Sequence, residues 1–204
     1  MPIRTVRVTI VYHSSDNHTL RIAQAVRLGA ASINGVQSDL LTAQEAMDHL
    51  DELDQADAII FGCPTYMGGI SAPMKAFIDA SEVKWAESAW KDKVAGAFTT
   101  SGSLSGDNLN TLMGLIVNAL QHGMIYVGVA SRAAENELDT LNRPDGPGAT
   151  ARNRTGVSLG VTGASFRLNA ETSPGSGDLE TAEAYGKRVA EITCRLVGRG
   201  GSCR

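Results

Sequence analysis

Five apolar runs rich in β-branched and aromatic residues, separated mostly by segments with helical spacing, restrict the possible folds more than any other feature of this chain. Val6–Tyr12 (VRVTIVY), Ala56–Gly62 (ADAIIFG), Val94–Thr100 (VAGAFTT) and Met124–Val129 (MIYVGV) are apolar on both faces. Strands read this way when helices cover both sides of a parallel sheet. Val36–Leu41 (VQSDLL) alternates more, as an edge strand does. Between the runs, Ile22, Val26, Gly29 and Ile33 share one helical face. Met74, Phe77, Ile78 and Ser81 share another, after Pro73 in what suits a first helical turn. Leu109, Leu112, Ile116, Ala119 and Leu120 make a third, and Ala182, Gly186, Val189, Thr193 and Leu196 a fourth. Thr42–Leu53 reads as a more polar fifth helix. Strands alternating with helices imply right-handed crossovers and a doubly wound α/β sheet.

A chain of 204 residues, 43% hydrophobic, suits a single domain with a substantial core. We expect it over residues 1–198, with 130–178 as a long loop insertion rich in Gly, Pro, Asn and Arg, and 199–204 as a flexible tail. A net charge of -4 and a pI near 5.5 argue against binding nucleic acid or an anionic membrane surface. No apolar run approaches the ~20 residues of a membrane span. The N-terminal MPIRTVRVTIVY has no signal-peptide pattern. The three cysteines form no CxxC or Cys/His metal spacing, and His13, His18 and His49 form no visible metal set. We therefore expect a cytoplasmic protein without a metal site. Cys63 reads as a small buried hydrophobe.

In an open α/β sheet, ligands sit beyond the carboxyl ends of the strands. Three such ends are unusual: His13–Thr19 (HSSDNHT), Gly62–Gly69 (GCPTYMGG) and Thr100–Asp107 (TSGSLSGD). The first opens a helix, where free N–H groups and the helix dipole favour an anion. Ser14, Ser15 and Thr19 add hydroxyls, and Asn17 tolerates a left-handed backbone. A phosphate dianion can be held there without a cationic side chain. The same residues also suit a turn that only caps a helix. Three polar or Gly-rich loops on one rim can surround a planar ligand with a phosphate tail, which favours the ligand.

These pieces resemble the flavodoxin-like FMN proteins, and most closely the WrbA-type NAD(P)H:quinone oxidoreductases. YHSSDNHTLRIA resembles their phosphate loop, GCPTYMGGISAPMKAFID their flavin loop, TTSGSLSGDN their third FMN loop, and QHGMIYVGV their His-Gly-Met before the last strand. The segment from Trp85 to Lys93 resembles the tryptophan segment of their acceptor site. The likeness runs from about residue 6 to 198, and it implies a five-stranded parallel sheet of order 2-1-3-4-5 with helices on both faces. It also implies FMN as cofactor, NAD(P)H as co-substrate, a quinone or similar small-molecule acceptor, and a homodimer or homotetramer.

Carried over by position, Ser14, Asp16, Asn17, His18 and Thr19 would hold the phosphate. Pro64, Thr65, Tyr66, Met67, Gly68, Thr100, Ser101, Gly102, Ser103 and Gly106 would hold the flavin, and His122, Trp85 and Tyr66 would serve catalysis. Some features depart from the family. Asp16 stands where the wider pattern has threonine, Tyr66-Met67 replaces an Arg-Phe type pair, and Gly156–Gly163 lacks an aromatic. The arginines Arg132, Arg143, Arg152, Arg154 and Arg167 of the insertion read as solvated surface, or as contacts to a dinucleotide phosphate or a neighbouring subunit. Two other functions stay open: a flavodoxin-like electron carrier, and an FMN-binding regulatory protein with little turnover.

Overall fold

Runs apolar on both faces need helices above and below, and the computed structural model, which describes residues 4–198, has them there. The strands are β1 (Val6–Tyr12), β2 (Val36–Thr42), β3 (Ala58–Tyr66), β4 (Gly69–Ile70), β5 (Val94–Ser101), β6 (Ile125–Tyr126) and β7 (Val161–Ala164). The helices are α1 (His18–Ala31), α2 (Ala43–Asp48), α3 (Leu50–Leu53), α4 (Ala72–Ala80), α5 (Glu82–Ala86), α6 (Asn108–Gln121) and α7 (Ser176–Leu196). A short 3₁₀ turn spans Leu138–Asn142. The five expected strands lie in the expected order, β2-β1-β3-β5-β6, and all are parallel. β2 is the edge, as its alternation requires.

The strand count is seven rather than five. β4 is a two-residue antiparallel return on β3. The more instructive correction concerns Met124–Val129. Only Ile125 and Tyr126 pair with β5, opposite Val94 and Ala95, and β7 takes over beside β5 from Phe98 onward. The gap falls at Gly96 and Ala97. There the Ala97 amide donates to the Tyr185 hydroxyl of α7 at 3.1 Å, and that hydroxyl donates to the Val127 carbonyl at 2.5 Å. A side chain closes the ladder where the strand leaves it. Gly96 makes room, because a Cβ there would stand 2.6 Å from the Tyr185 oxygen. The expected 130–178 loop therefore contains β7 and the start of α7. The expected tail 199–204 lies outside the described residues.

Period-two alternation sorts the strand residues between two cores. Val8, Ile10, Ala58 and Ile60 face α1 and α7, whereas Val11, Ile59, Phe61 and Cys63 face α4 and α6. α1 crosses α7 at bare backbone: a Cβ on Gly29 would lie 1.8 Å from the Glu183 carbonyl oxygen, and one on Gly186 would lie 1.9 Å from that of Val26. The expected helix over Thr42–Leu53 is two pieces broken at His49, the first opened by a capping box between Thr42 and Glu45. Leu109, Leu120 and Leu196, expected on buried faces, are more than half exposed. In α6 the buried stripe runs through Thr111, Leu112, Leu115 and Ala119, about 140° away from an exposed apolar stripe through Leu109, Met113, Val117 and Leu120.

Candidate functional site

The ends of β1, β3 and β5 are adjacent in the sheet, and the strand order reverses between β1 and β3, where this architecture opens a crevice. All three predicted loops leave from this rim.

Beyond Tyr12, the His13 amide donates to the Gly62 carbonyl (2.9 Å), and its ring Nδ1 meets the Ser71 hydroxyl (2.9 Å). Burial lowers the His13 pKa, favouring the neutral ring. Ser15, Asp16 and Asn17 then turn outward, with Asn17 left-handed (φ 64°) as the cap residue of α1. No side chain caps the helix, and its first turn carries no acidic residue. The first intrahelical bond joins the Arg21 amide to the Asn17 carbonyl (3.0 Å), so the amides of His18, Thr19 and Leu20 have no helical acceptor. The Ser14 hydroxyl oxygen is buried without a hydrogen-bond partner among the described residues. A lone turn would satisfy or expose these groups, whereas an anion-binding turn leaves them free. The Thr19 hydroxyl is buried against that of Thr100 at 2.7 Å, pinning α1 to β5.

At the end of β3, Pro64 and Thr65 are buried. The Thr65 hydroxyl sits among Thr99 (2.9 Å), Thr111 (2.8 Å) and Asn108 (3.1 Å). The chain then turns tightly through Met67 (φ 47°) and Gly68 (φ 80°), and Asn110 of α6 donates to the Gly68 carbonyl at 2.6 Å. Met67 is fully exposed and Tyr66 about half exposed. In the third loop, Ser101 donates to the Ser103 carbonyl (2.7 Å) and Gly106 is left-handed (φ 44°). A Cβ on Gly106 would stand 2.2 Å from the Ser101 hydroxyl, so the loop closes only around glycine.

Sequence reasoning missed a fourth wall. The segment after β7, Ser165–Ala170, lies across the start of α1. The His18 Nε2 meets the Leu168 carbonyl at 2.8 Å, and Arg21 donates to the Ala170 carbonyl at 2.6 Å. The Ser165 amide donates to the Ser101 carbonyl at 2.8 Å. Together these walls enclose a cavity of about 640 Å³, lined by Asp16, Asn17, His18, Tyr66, Gly102 and residues 165 and 167–170. That size is ordinary for a small-molecule site. The orphan amides, the partnerless Ser14 hydroxyl and the small Gly102 loop fit FMN. The long insertion was the available signal, but its length does not say where its end returns.

The other predicted residues lie elsewhere. His122 and Trp85 line a cavity of about 1000 Å³ between α4, α5 and α6, together with Ile78, Met113, Val117 and Asn118. Tyr66 does not line it, and the two cavities share no lining residue. His122 is buried and its ring lies 4.4 Å from that of Trp90, which itself is wholly buried. Ser81 donates to the Ile78 carbonyl (2.7 Å), so its oxygen accepts from His122 Nε2 (3.0 Å), placing the ring proton on Nε2. Nδ1 is then a buried acceptor without a partner among the described residues, and burial lowers the ring's pKa.

The insertion arginines are not all solvated. Arg154 is buried against Asp178, with Nε and Nη2 contacts of 2.9 and 2.6 Å. The buried Asp178 carboxylate requires a charged partner, which is why this arginine leaves the surface.

Residues 37–139 match the family described as NADPH-dependent FMN reductase. The chain is 38% identical to flavodoxin FldP from Pseudomonas aeruginosa, covering 93% of this chain and 98% of that one. It is 30% identical to an NAD(P)H dehydrogenase (quinone) from Solidesulfovibrio magneticus, covering 94% and 99%. Among solved structures, a flavodoxin-type WrbA-like protein from Agrobacterium tumefaciens superposes with a TM-score of 0.71 at 36% identity, covering 94% of this chain and 99% of that one. No helix among the described residues is long and apolar enough to cross a membrane.

Proposed function

Since the chain belongs to the NADPH-dependent FMN reductase family, we propose that it is an FMN-dependent oxidoreductase passing two electrons from NAD(P)H to a quinone-type acceptor. The carrying observation is the start of α1, where unpaired amides and the partnerless Ser14 hydroxyl open beside the rim cavity. FMN, when bound, supplies the redox chemistry, and the protein supplies position and electrostatics.

The amides of His18, Thr19 and Leu20, with the Ser14 and Ser15 hydroxyls, hold the phosphate. Asp16, exposed beside Asn17, lines the same cavity, so its carboxylate stands near the phosphate. Residues 64–68 and 100–106 hold the ring edge. The Thr65 hydroxyl ties the ends of β3 and β5 to the start of α6, so both ring-side loops keep one spacing. A prearranged donor set of this kind stabilises charge without reorganising.

His122 and Trp85 are acceptor-side residues in this reading, with His122 presenting a neutral imidazole. They lie off the rim cavity of their own chain. We therefore extend the proposal to a homodimer or homotetramer, in which the α4–α6 side of one copy meets the rim of another. The exposed Trp85, Met113, Val117 and Leu120 on that side favour burial in an assembly. The function is read as cytoplasmic and carried by one domain over residues 1–198.

The likeness to a flavodoxin favours a second reading, a carrier exchanging single electrons with protein partners. Purified protein is mixed with NADH or NADPH and benzoquinone. Steady nucleotide oxidation supports the reductase. No turnover, with a long-lived one-electron-reduced spectrum on titration, refutes it and leaves the carrier. Sedimentation giving a monomer refutes the assembly.

A further inference from the structure

The phosphate loop, residues 13–19, contains no lysine or arginine and does contain Asp16. The nearest arginine or lysine in sequence, Arg21, donates to the Ala170 carbonyl. A phosphate dianion there would face a carboxylate with no cation from the loop itself. The insertion supplies one from far along the chain.

Its arginines divide by partner. Arg143 pairs with Asp139, Arg152 with Glu180 and Glu135, and Arg154 with Asp178. Arg167 has no ion pair among the described residues, and it alone of these arginines lines the rim cavity, together with Asp16, Asn17 and His18. Its position is held from several sides. Phe166 and Arg167 are both left-handed (φ 48° and 58°), a costly conformation for bulky residues that persists only when the surroundings enforce it. On one side the Arg154 guanidinium, locked by Asp178, covers the Phe166 ring at 5.4 Å, and Ser165 is bonded to Ser101. On the other side the carbonyls of Leu168 and Ala170 are held by His18 and Arg21 of α1. The insertion thus brings to the rim cavity, beside the start of α1, an arginine without an ion pair among the described residues.

We propose that Arg167 is the cationic partner of the flavin nucleotide's phosphate monoester, offsetting Asp16. This rests on the FMN reading above. It makes Arg167 a determinant of nucleotide over nucleoside: FMN gains from it, and riboflavin, which lacks the phosphate, does not.

The test uses the full-length chain freed of flavin, with circular dichroism confirming the fold. Wild type, Arg167→Gln, Arg167→Lys and Arg132→Gln are titrated with FMN and with riboflavin by fluorescence quenching, at low and high salt. Arg167→Gln should weaken FMN about tenfold at low salt and leave riboflavin unchanged. The gap should narrow at high salt. Arg167→Lys should recover part of the loss, and Arg132→Gln should match wild type. Equal losses for FMN and riboflavin, or unaltered FMN affinity, overturn the proposal. So does intact FMN affinity with a raised KM for NADPH but not NADH, which would assign the arginine to the dinucleotide's extra phosphate. Wild type that binds no FMN overturns the reading beneath it as well, a result separate from wild type and Arg167→Gln binding equally.

Discussion

Replacing Arg154 with methionine removes one half of an ion pair whose side chains are only 6% and 2% exposed. The Asp178 carboxylate has no water to turn to and is left buried and uncompensated. Breaking a buried pair from one side costs about 3–5 kcal/mol. The Ala164 amide still donates to Asp178 at 3.2 Å, and Asp178 lies in the first turn of α7, where the helix dipole favours it. Those two contacts place the expected loss near the lower end, about 3 kcal/mol. Against a total stability of about 5–15 kcal/mol, that is a large fraction. It corresponds to a fall in Tm of roughly 6–12 °C for a chain of this size. Urea unfolding at neutral pH should show a lower midpoint with an unchanged slope. The double variant Arg154→Met/Asp178→Asn removes the orphan charge and keeps an acceptor for the Ala164 amide, so it should regain at least half of the loss. A single variant within about 1 kcal/mol of wild type, or a double variant no more stable than the single, would refute the claim that uncompensated burial sets the cost.

Gly186→Ala forces a methyl to 1.9 Å from the Val26 carbonyl oxygen, so α1 and α7 must separate. Chemical denaturation should show a loss of about 1–3 kcal/mol or more, and wild-type stability would contradict the close crossing. The Cys63 thiol, wholly buried and with its pKa pushed up by burial to about 11, should resist iodoacetamide at pH 8 until the chain is unfolded, as peptide mass mapping would show. Burial lowers the pKa of His122 below 6.5 in the fold, so below that pH the unfolded chain binds the extra proton first. Its contribution to stability is full above pH 6.5, falls as pH drops below it, and levels off under the folded-state value. His122→Gln should flatten that part of the stability–pH curve, and an unchanged curve would rule the residue out as its source.

The parallel strands were visible in the apolar runs because each strand carries its own pattern, whereas their order β2-β1-β3-β5-β6 was implied only by the family resemblance. The three rim loops were visible for the same reason. Asn17 must be left-handed where it stands, and Gly106 must be glycine, so local chemistry marks the turns. The second apolar stripe on α6 was not separable, since a helix that is apolar on two faces shows only one broad period in sequence.

Local sequence therefore determined the strands, the crossovers and the mouth of the first helix, all of which depend on neighbours a few residues apart. Tertiary structure decided what those places meet. The break between β6 and β7 depends on the Tyr185 hydroxyl reaching Ala97 from α7, 88 residues away in sequence. The rim cavity depends on residues 165–170 returning over α1, which only the bonds from His18 and Arg21 reveal. The separation of Tyr66 from Trp85 and His122 likewise depends on which helices flank which cavity. Hydrogen bonds and ion pairs between distant segments carry no periodicity of their own, so they leave no pattern to read until the chain has closed on itself.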